Sequence, residues 1–258
     1  DLNNAPGTQT NPTSGPVDII SNATVTLAPS TPILRMNNSS FTMASGDLSL
    51  AIGEGSSFGT STGALALVAT NGSTLTQNEG GLVDFEGGGA ATTTATAPLV
   101  QLTNSTVNLN QTVFPDNQHA MVHVQGAGTV GTINGPLLDA VNSTFTMNGE
   151  SGLLAIRNGA TLQTANTTSG ALFQFTGGSV SSGSDFIFLD NTGRLTLTNP
   201  NLTLFHSTNT AVTYDATAVS TNDAFMELNP GAQLTSSATG ALISLNGGSF
   251  HPGAGGGG

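Results

Sequence analysis

The 258-residue chain contains no cysteine and no lysine, and its only arginines are Arg35, Arg157 and Arg194. Without cysteine there is neither a disulfide framework nor a thiolate metal site. Charged residues make up 7% of the chain, where about 25% is ordinary for a soluble domain. The formal net charge is −12. Nucleic acid and anionic lipid are held by clustered cations, so this composition excludes both as electrostatic partners. No run approaches the roughly 20 apolar residues of a membrane-spanning helix. No signal peptide is visible, so the expectation for an exported protein is that it has been removed. Long helices are excluded too, because glycine or asparagine interrupts the chain nearly every ten residues and β-branched residues dominate between them.

What is abundant is glycine (34 residues), with serine, threonine and asparagine, against an apolar content of 36%. Disorder is the competing reading of such a composition, but the apolar residues recur regularly. Residues 98–110 read PLVQLTNSTVNLN and residues 136–149 read PLLDAVNSTFTMNG. The same phrase returns as GALFQFTGGSV, DFIFLDNTGRLTL and GALISLNGGSF. Units begin at Val17, Ile33, Ser49, Ala66, Leu82, Leu99, Met121, Leu137, Leu153, Leu172, Phe186, Leu202, Phe225 and Leu242, mostly about 16 to 17 residues apart.

Each unit reads as two short strands. In the first, alternating residues such as Val100 and Leu102, Phe173 and Phe175, or Ile243 and Leu245 share one side. A turn follows on Asn22, Asn38, Asn71, Asn104, Asn142, Asn158, Gly177 or Asn191, residue types that tolerate left-handed backbone. The second strand brings in Val107, Phe145, Leu162, Val180, Leu195, Leu234 or Phe250. So small a unit buries little alone, but stacked units bury a continuous apolar column. The fold expected is all-β, a single parallel β-solenoid of about 14 short coils of roughly 17 residues, near 65 Å long at about 4.8 Å per layer. Two turn lengths alternate from Leu99 onward, which admits a coil of two units and half that length. The solenoid spans residues 16–251, with insertions near 110–119 and 208–223. Residues 1–15 read as a flexible leader and 252–258 as a glycine-rich tail that joins a longer or tethered chain.

The first apolar residue of each unit falls out of step. Simple alternation places Leu99, Leu137, Leu153, Leu172, Phe186, Phe225 and Leu242 outside, as a candidate association stripe. A corner bulge would turn them inward instead.

Candidate chemistry is sparse. Asn-X-Ser/Thr matches at Asn22, Asn38, Asn71, Asn104, Asn110, Asn142, Asn166 and Asn201 could mark glycosylation, but most share one phase of the repeat and read as turns. A carbohydrate-cleaving solenoid needs clustered acids, or a base beside an acid. Asp84 and Asp139 share an outward position with Gln101, His123 and Gln174 but do not fall in adjacent layers, and Asp185 and Asp190 flank one strand. Arg157 and Arg194 lie two units apart. His119 and His123 are four apart in an extended context and share no helical face, so no metal site is expected. No catalytic residue and no cofactor is assigned. Thr-X-Thr pairs (Thr24 and Thr26, Thr74 and Thr76, Thr144 and Thr146) form an array like that of ice-binding solenoids, broken by Gly59, Gln163, Ser181 and Arg194.

The repeat style resembles bacterial secreted β-solenoids, the filamentous-haemagglutinin and autotransporter-passenger class of fibres and adhesins, over about nine-tenths of the chain. The tetrapeptide from Asn199 to Leu202, NPNL, matches a motif of two-partner-secreted haemagglutinins, though late in the chain and without a companion motif. The resemblance implies export, a shaft-like or adhesive role and no catalysis. The expectation is therefore an extracellular structural solenoid whose partner is itself, end to end or side by side, with glycans or neighbouring surfaces as further partners. Absent Lys and only three Arg leave few trypsin-type cleavage points. The alternatives are a polysaccharide-binding or polysaccharide-cleaving solenoid, with the two insertions forming a groove, and an ice-binding solenoid.

Overall fold

A computed structural model describes residues 2–4, 6–9, 17–19, 21–28, 31–43, 50–59, 65–78, 80–110, 120–149, 151–165, 167–190, 192–214 and 224–252. Most of the expected leader and tail, positions 111–119 and 215–223 of the two insertions, and Ser49, His119, Asn166 and Asn191 lie outside the described residues.

Every strand pairing is parallel, and the strands form four sheets along the axis of a solenoid. One coil shows the plan. Val100–Thr103 belongs to the first sheet, Thr106–Asn110 to the second, Ala120–Val124 to the third and Val130–Ile133 to the fourth. Repeating this coil gives eight strands in each of the first and second sheets and seven in each of the third and fourth.

A coil thus holds two of the 17-residue units, and the expectation of 14 one-unit coils is corrected. Val100 pairs with Leu67 on one side and Leu138 on the other, skipping the unit between. The physical reason is the corner chemistry. After the first sheet the corner is tight, an asparagine or glycine followed by a small residue; after the third sheet it is longer, as in residues 125–129. Parallel ladders stay in register when a corner stacks on one of its own kind, so every second unit pairs. At about 4.8 Å per layer, eight strands span roughly 34 Å between the outermost two.

In strands such as Val100–Thr103 burial alternates, whereas the third-sheet strands Ala120–Val124 and Gly152–Ile156 are buried throughout. Val100 and Leu102 are fully buried, while Gln101 and Thr103 face outward and are half-buried. The inward residues form one continuous core from Ile19 to Val212. Its later coils are aromatic: Phe175 and Phe205 lie 5.4 Å apart between ring centroids, Phe205 and Phe225 5.0 Å, and Phe186 and Phe225 4.9 Å. Such offset and edge-on contacts add to what area burial supplies.

The outward stripe does not form. Leu99, Leu137, Leu153, Leu172 and Phe186 are at most 1% exposed, and Phe225 and Leu242 are half-buried against the same core. Backbone bulges account for the change of side. The amides of Leu153 and Leu154 both donate to the Phe186 carbonyl, at 2.8 and 3.2 Å. Those of Leu204 and Phe205 both donate to the Leu242 carbonyl, at 2.9 and 3.1 Å. Two consecutive residues then oppose one, which breaks the alternation and turns both side chains inward. The residue stacked at this corner in the next-to-last coil is Leu204 rather than the expected unit start Leu202.

Candidate functional site

Four outward features carry the polar chemistry: the asparagine corners, the hydroxyl rows, a few acid and histidine positions, and the last coil.

The asparagine turn ladder is two ladders. Asn38, Asn71, Asn104 and Asn142 stack at the corner after the first sheet, and Asn22 and Asn158 belong to the corner after the third. All six have positive φ, between 46° and 63°, the region asparagine reaches at low cost. Between adjacent coils the amides bond: Asn38 Nδ2 donates to Asn4 Oδ1 at 2.7 Å, and Asn71 Nδ2 to Asn37 Oδ1 at 2.6 Å. The serine after the asparagine is equally structural. Ser105 Oγ donates to the Thr103 carbonyl at 2.8 Å, while the Ser105 amide donates to Ser143 Oγ at 3.1 Å. Ser143 Oγ donates to the Val141 carbonyl at 2.8 Å. Where Gly177 and Gly178 replace Asn-Ser, Gly177 keeps the positive φ of the asparagine, Gly178 adds a second, and a Cβ on Gly178 would collide with the Ser143 carbonyl. The Asn-Ser-Thr motif therefore builds a corner.

The hydroxyl pairs also sort by face. Thr74, Thr76, Thr144 and Thr146 lie on the second sheet, and Thr24 and Thr26 on the fourth. Of the expected breaks, Gly59, Gln163 and Arg194 all belong to the fourth sheet. On the second sheet Thr42, Thr76, Asn108, Thr146, Ser181 and Thr213 align in one row, each half-buried. The row carries no charge.

The structure brings one acid and one base together that the sequence spacing left apart. Asp84 and His123 are register partners in adjacent coils of the third sheet. Asp84 Oδ1 lies 3.5 Å from His123 Nδ1, both side chains are buried, and His123 Nε2 has no hydrogen-bond partner. Asp139 sits in a different sheet, the first, between Gln101 and Gln174 in adjacent coils, with His206 beyond Gln174. Burial pushes its carboxyl above the usual aspartate range. Asp185 and Asp190 hold the backbone. Asp185 Oδ1 accepts the Ala224 amide at 2.6 Å. Asp190 Oδ2 accepts the Asn158 amide at 2.8 Å and faces Arg157 Nε at 4.0 Å. The Arg157 guanidinium lies 5.4 Å above the Phe188 ring, a cation–π arrangement. Among the described residues there is no group of three or more His, Asp or Glu placed to hold a metal ion. Nor is any helix there long and apolar enough to cross a membrane.

The last coil differs from all this in its apolar exposure. Its strands are Met226–Leu228, Gln233–Ser236, Ile243–Asn246 and Ser249–Pro252, each the end strand of its sheet. Leu228, Ile243, Leu245 and Phe250 are 37–43% exposed, whereas their register partners Leu189, Phe205, Ser207 and Val212 are at most 1% exposed. The inward side chains of this layer are covered from one side only.

The class these features define is a parallel β-solenoid with two-unit coils and asparagine corners. No protein-family model matches the sequence, and neither a curated protein nor a solved structure does.

Proposed function

We propose that the chain is a rigid, non-catalytic shaft segment of an extracellular fibre or surface adhesin, extended along its axis by a further layer of the same kind. The open last coil carries this reading. Its strands pair with no further described strand on their outer side, and its apolar side chains are exposed where every other described coil from Leu50 to Val212 covers them. An unpaired parallel edge lined by apolar residues templates another layer. That layer can come from further coils of a longer chain or from a second copy, and both lengthen the shaft. Continuous parallel ladders, a single apolar column and bonded corners supply rigidity. Absent Lys and only three Arg suit an exposed, protease-rich setting.

Sedimentation velocity across a concentration series tests this with the chain itself. The wild type is expected to gain mass with concentration, and the Leu245→Asp/Phe250→Asp variant to stay monomeric. A wild type that sediments as a monomer throughout contradicts axial pairing.

The hydroxyl row of the second sheet, broken only by Asn108 between Thr42 and Thr213, favours a second reading, an ice-binding face. β-Branched threonines hold few rotamers, so such a grid is ordered before contact. Thermal hysteresis in the wild type, lost in Thr146→Tyr, is its signature; an unaltered freezing point in the wild type removes it.

A further inference from the structure

On the second sheet a row of asparagines runs beside the hydroxyl rows. Asn110 Nδ2 donates to Asn78 Oδ1 at 2.9 Å, and Asn148 Nδ2 donates to Asn110 Oδ1 at 2.8 Å. All bonds run the same way, so each rung uses its amide hydrogens on the coil before and offers its carbonyl oxygen to the coil after. The coil after Asn148 has no rung to accept that offer. Ser182 pairs with Met147, and the next residue is Gly183. The Gly183 amide remains in the backbone ladder, donating to the Met147 carbonyl at 2.8 Å. A depression of about 300 Å³ opens at this place, lined by Met147, Asn148, Gly149, Ser181, Ser182, Gly183 and Thr213.

We propose that this depression binds the acetamido group of a neutral N-acetylated sugar, which takes the place of the next rung. Asn148 Oδ1 offers an acceptor in the plane of the amide ladder, and an acetamido N–H is a donor that fits it. Its carbonyl oxygen needs hydroxyl donors, and Ser181 and Thr213 bring hydroxyls to the side of the depression. The Ser182 hydroxyl is engaged elsewhere, donating to the Ser151 carbonyl at 2.8 Å. None of the seven described lining residues is charged, which suits a neutral ligand. The volume is that of a subsite for one sugar residue and is open to solvent, so a longer glycan can continue along the hydroxyl rows. Stacked amides polarise one another, so an amide at the end of the ladder binds better than a hydroxyl in the same place. The site does not depend on axial extension.

The experiment is an amide chemical-shift titration of the whole chain with the N-acetylglucosamine trimer, and in parallel with the glucose trimer. Saturable shifts at Asn148, Ser181, Gly183 and Thr213 are expected with the first, and binding roughly tenfold weaker or undetectable with the second, as loss of one hydrogen bond at the ladder's end gives. Asn148→Ala, at an exposed position, is expected to lose about tenfold in affinity with the spectrum otherwise unchanged. Gly183→Ala crowds the Gly149 carbonyl, whose oxygen would lie 3.0 Å from the new Cβ, and Thr213→Val provides a second variant that leaves the backbone alone. Absence of shifts at these residues, equal affinity for both trimers, or an Asn148→Ala variant that binds as well as wild type overturns the proposal. So does saturation by a glutamine-containing peptide at concentrations where the acetylated trimer leaves the spectrum unmoved.

Discussion

Leu99 was legible as unusual and illegible as to side. Its distance from Val100 and Leu102 breaks the alternation, which a sequence displays, but the direction of the break depends on backbone hydrogen bonds made about 38 residues away, to Pro136 and Leu137. Those bonds, with shared-carbonyl bulges at the equivalent leucines, bring the whole series into the core. Leu99→Ala is therefore expected to cost about 3 kcal/mol in urea unfolding, the range for truncating a buried leucine; a cost under about 0.5 kcal/mol, typical of surface positions, would return the side chain to the outside. Asp139 makes a prediction of the opposite sense. Burial raises its folded pKa above the unfolded value, so the protein favours the protonated form. Its contribution is most favourable below the unfolded pKa and is lost as pH rises through the folded pKa. Asp139→Asn should raise the melting temperature at pH 7 and leave it unchanged near pH 3. An equal shift at both pH values would assign the effect to packing.

At the scale of elements, strands and corners could be read directly. Asn38, Asn71, Asn104 and Asn142 mark corners because few other residues hold φ near 50° without strain. The two-unit coil was only faintly legible, because the two corner types differ by a residue and insertions blur the count. Amide ladders decide it, since they join residues 34 apart, as in Asn37 to Asn3 and Asn71 to Asn37. Asp84 and His123 were missed as a pair for the same reason: a one-unit coil puts them two layers apart, and the two-unit coil makes them neighbours. The ladder can be tested apart from the turn. Asn71→Gly keeps the left-handed turn and loses the amide bond, which costs about 1 kcal/mol. Asn71→Ala loses the bond and also strains the backbone, adding about 1–2 kcal/mol. Equal stability of the two variants in chemical denaturation would show that the left-handed turn contributes nothing.

For the whole molecule, composition excluded long helices and an apolar span, and the regular recurrence of apolar residues then pointed to a stacked β column. Function was far less legible, because the outward residues are mostly hydroxyls and amides that also suit strands and corners. The depression beside Asn148 had no sequence signal beyond a glycine where an asparagine row would continue. What distinguishes the last coil among the described residues is its apolar layer, exposed at Leu228, Ile243, Leu245 and Phe250. Negative-stain electron microscopy of the purified chain over rising concentration tests axial extension most directly. Rods of constant width are expected, with lengths in multiples of a particle roughly 35 to 40 Å long, given eight layers at about 4.8 Å, and shortened to single particles in Leu245→Asp/Phe250→Asp. Single particles of that length at every concentration, in wild type and variant alike, would contradict it.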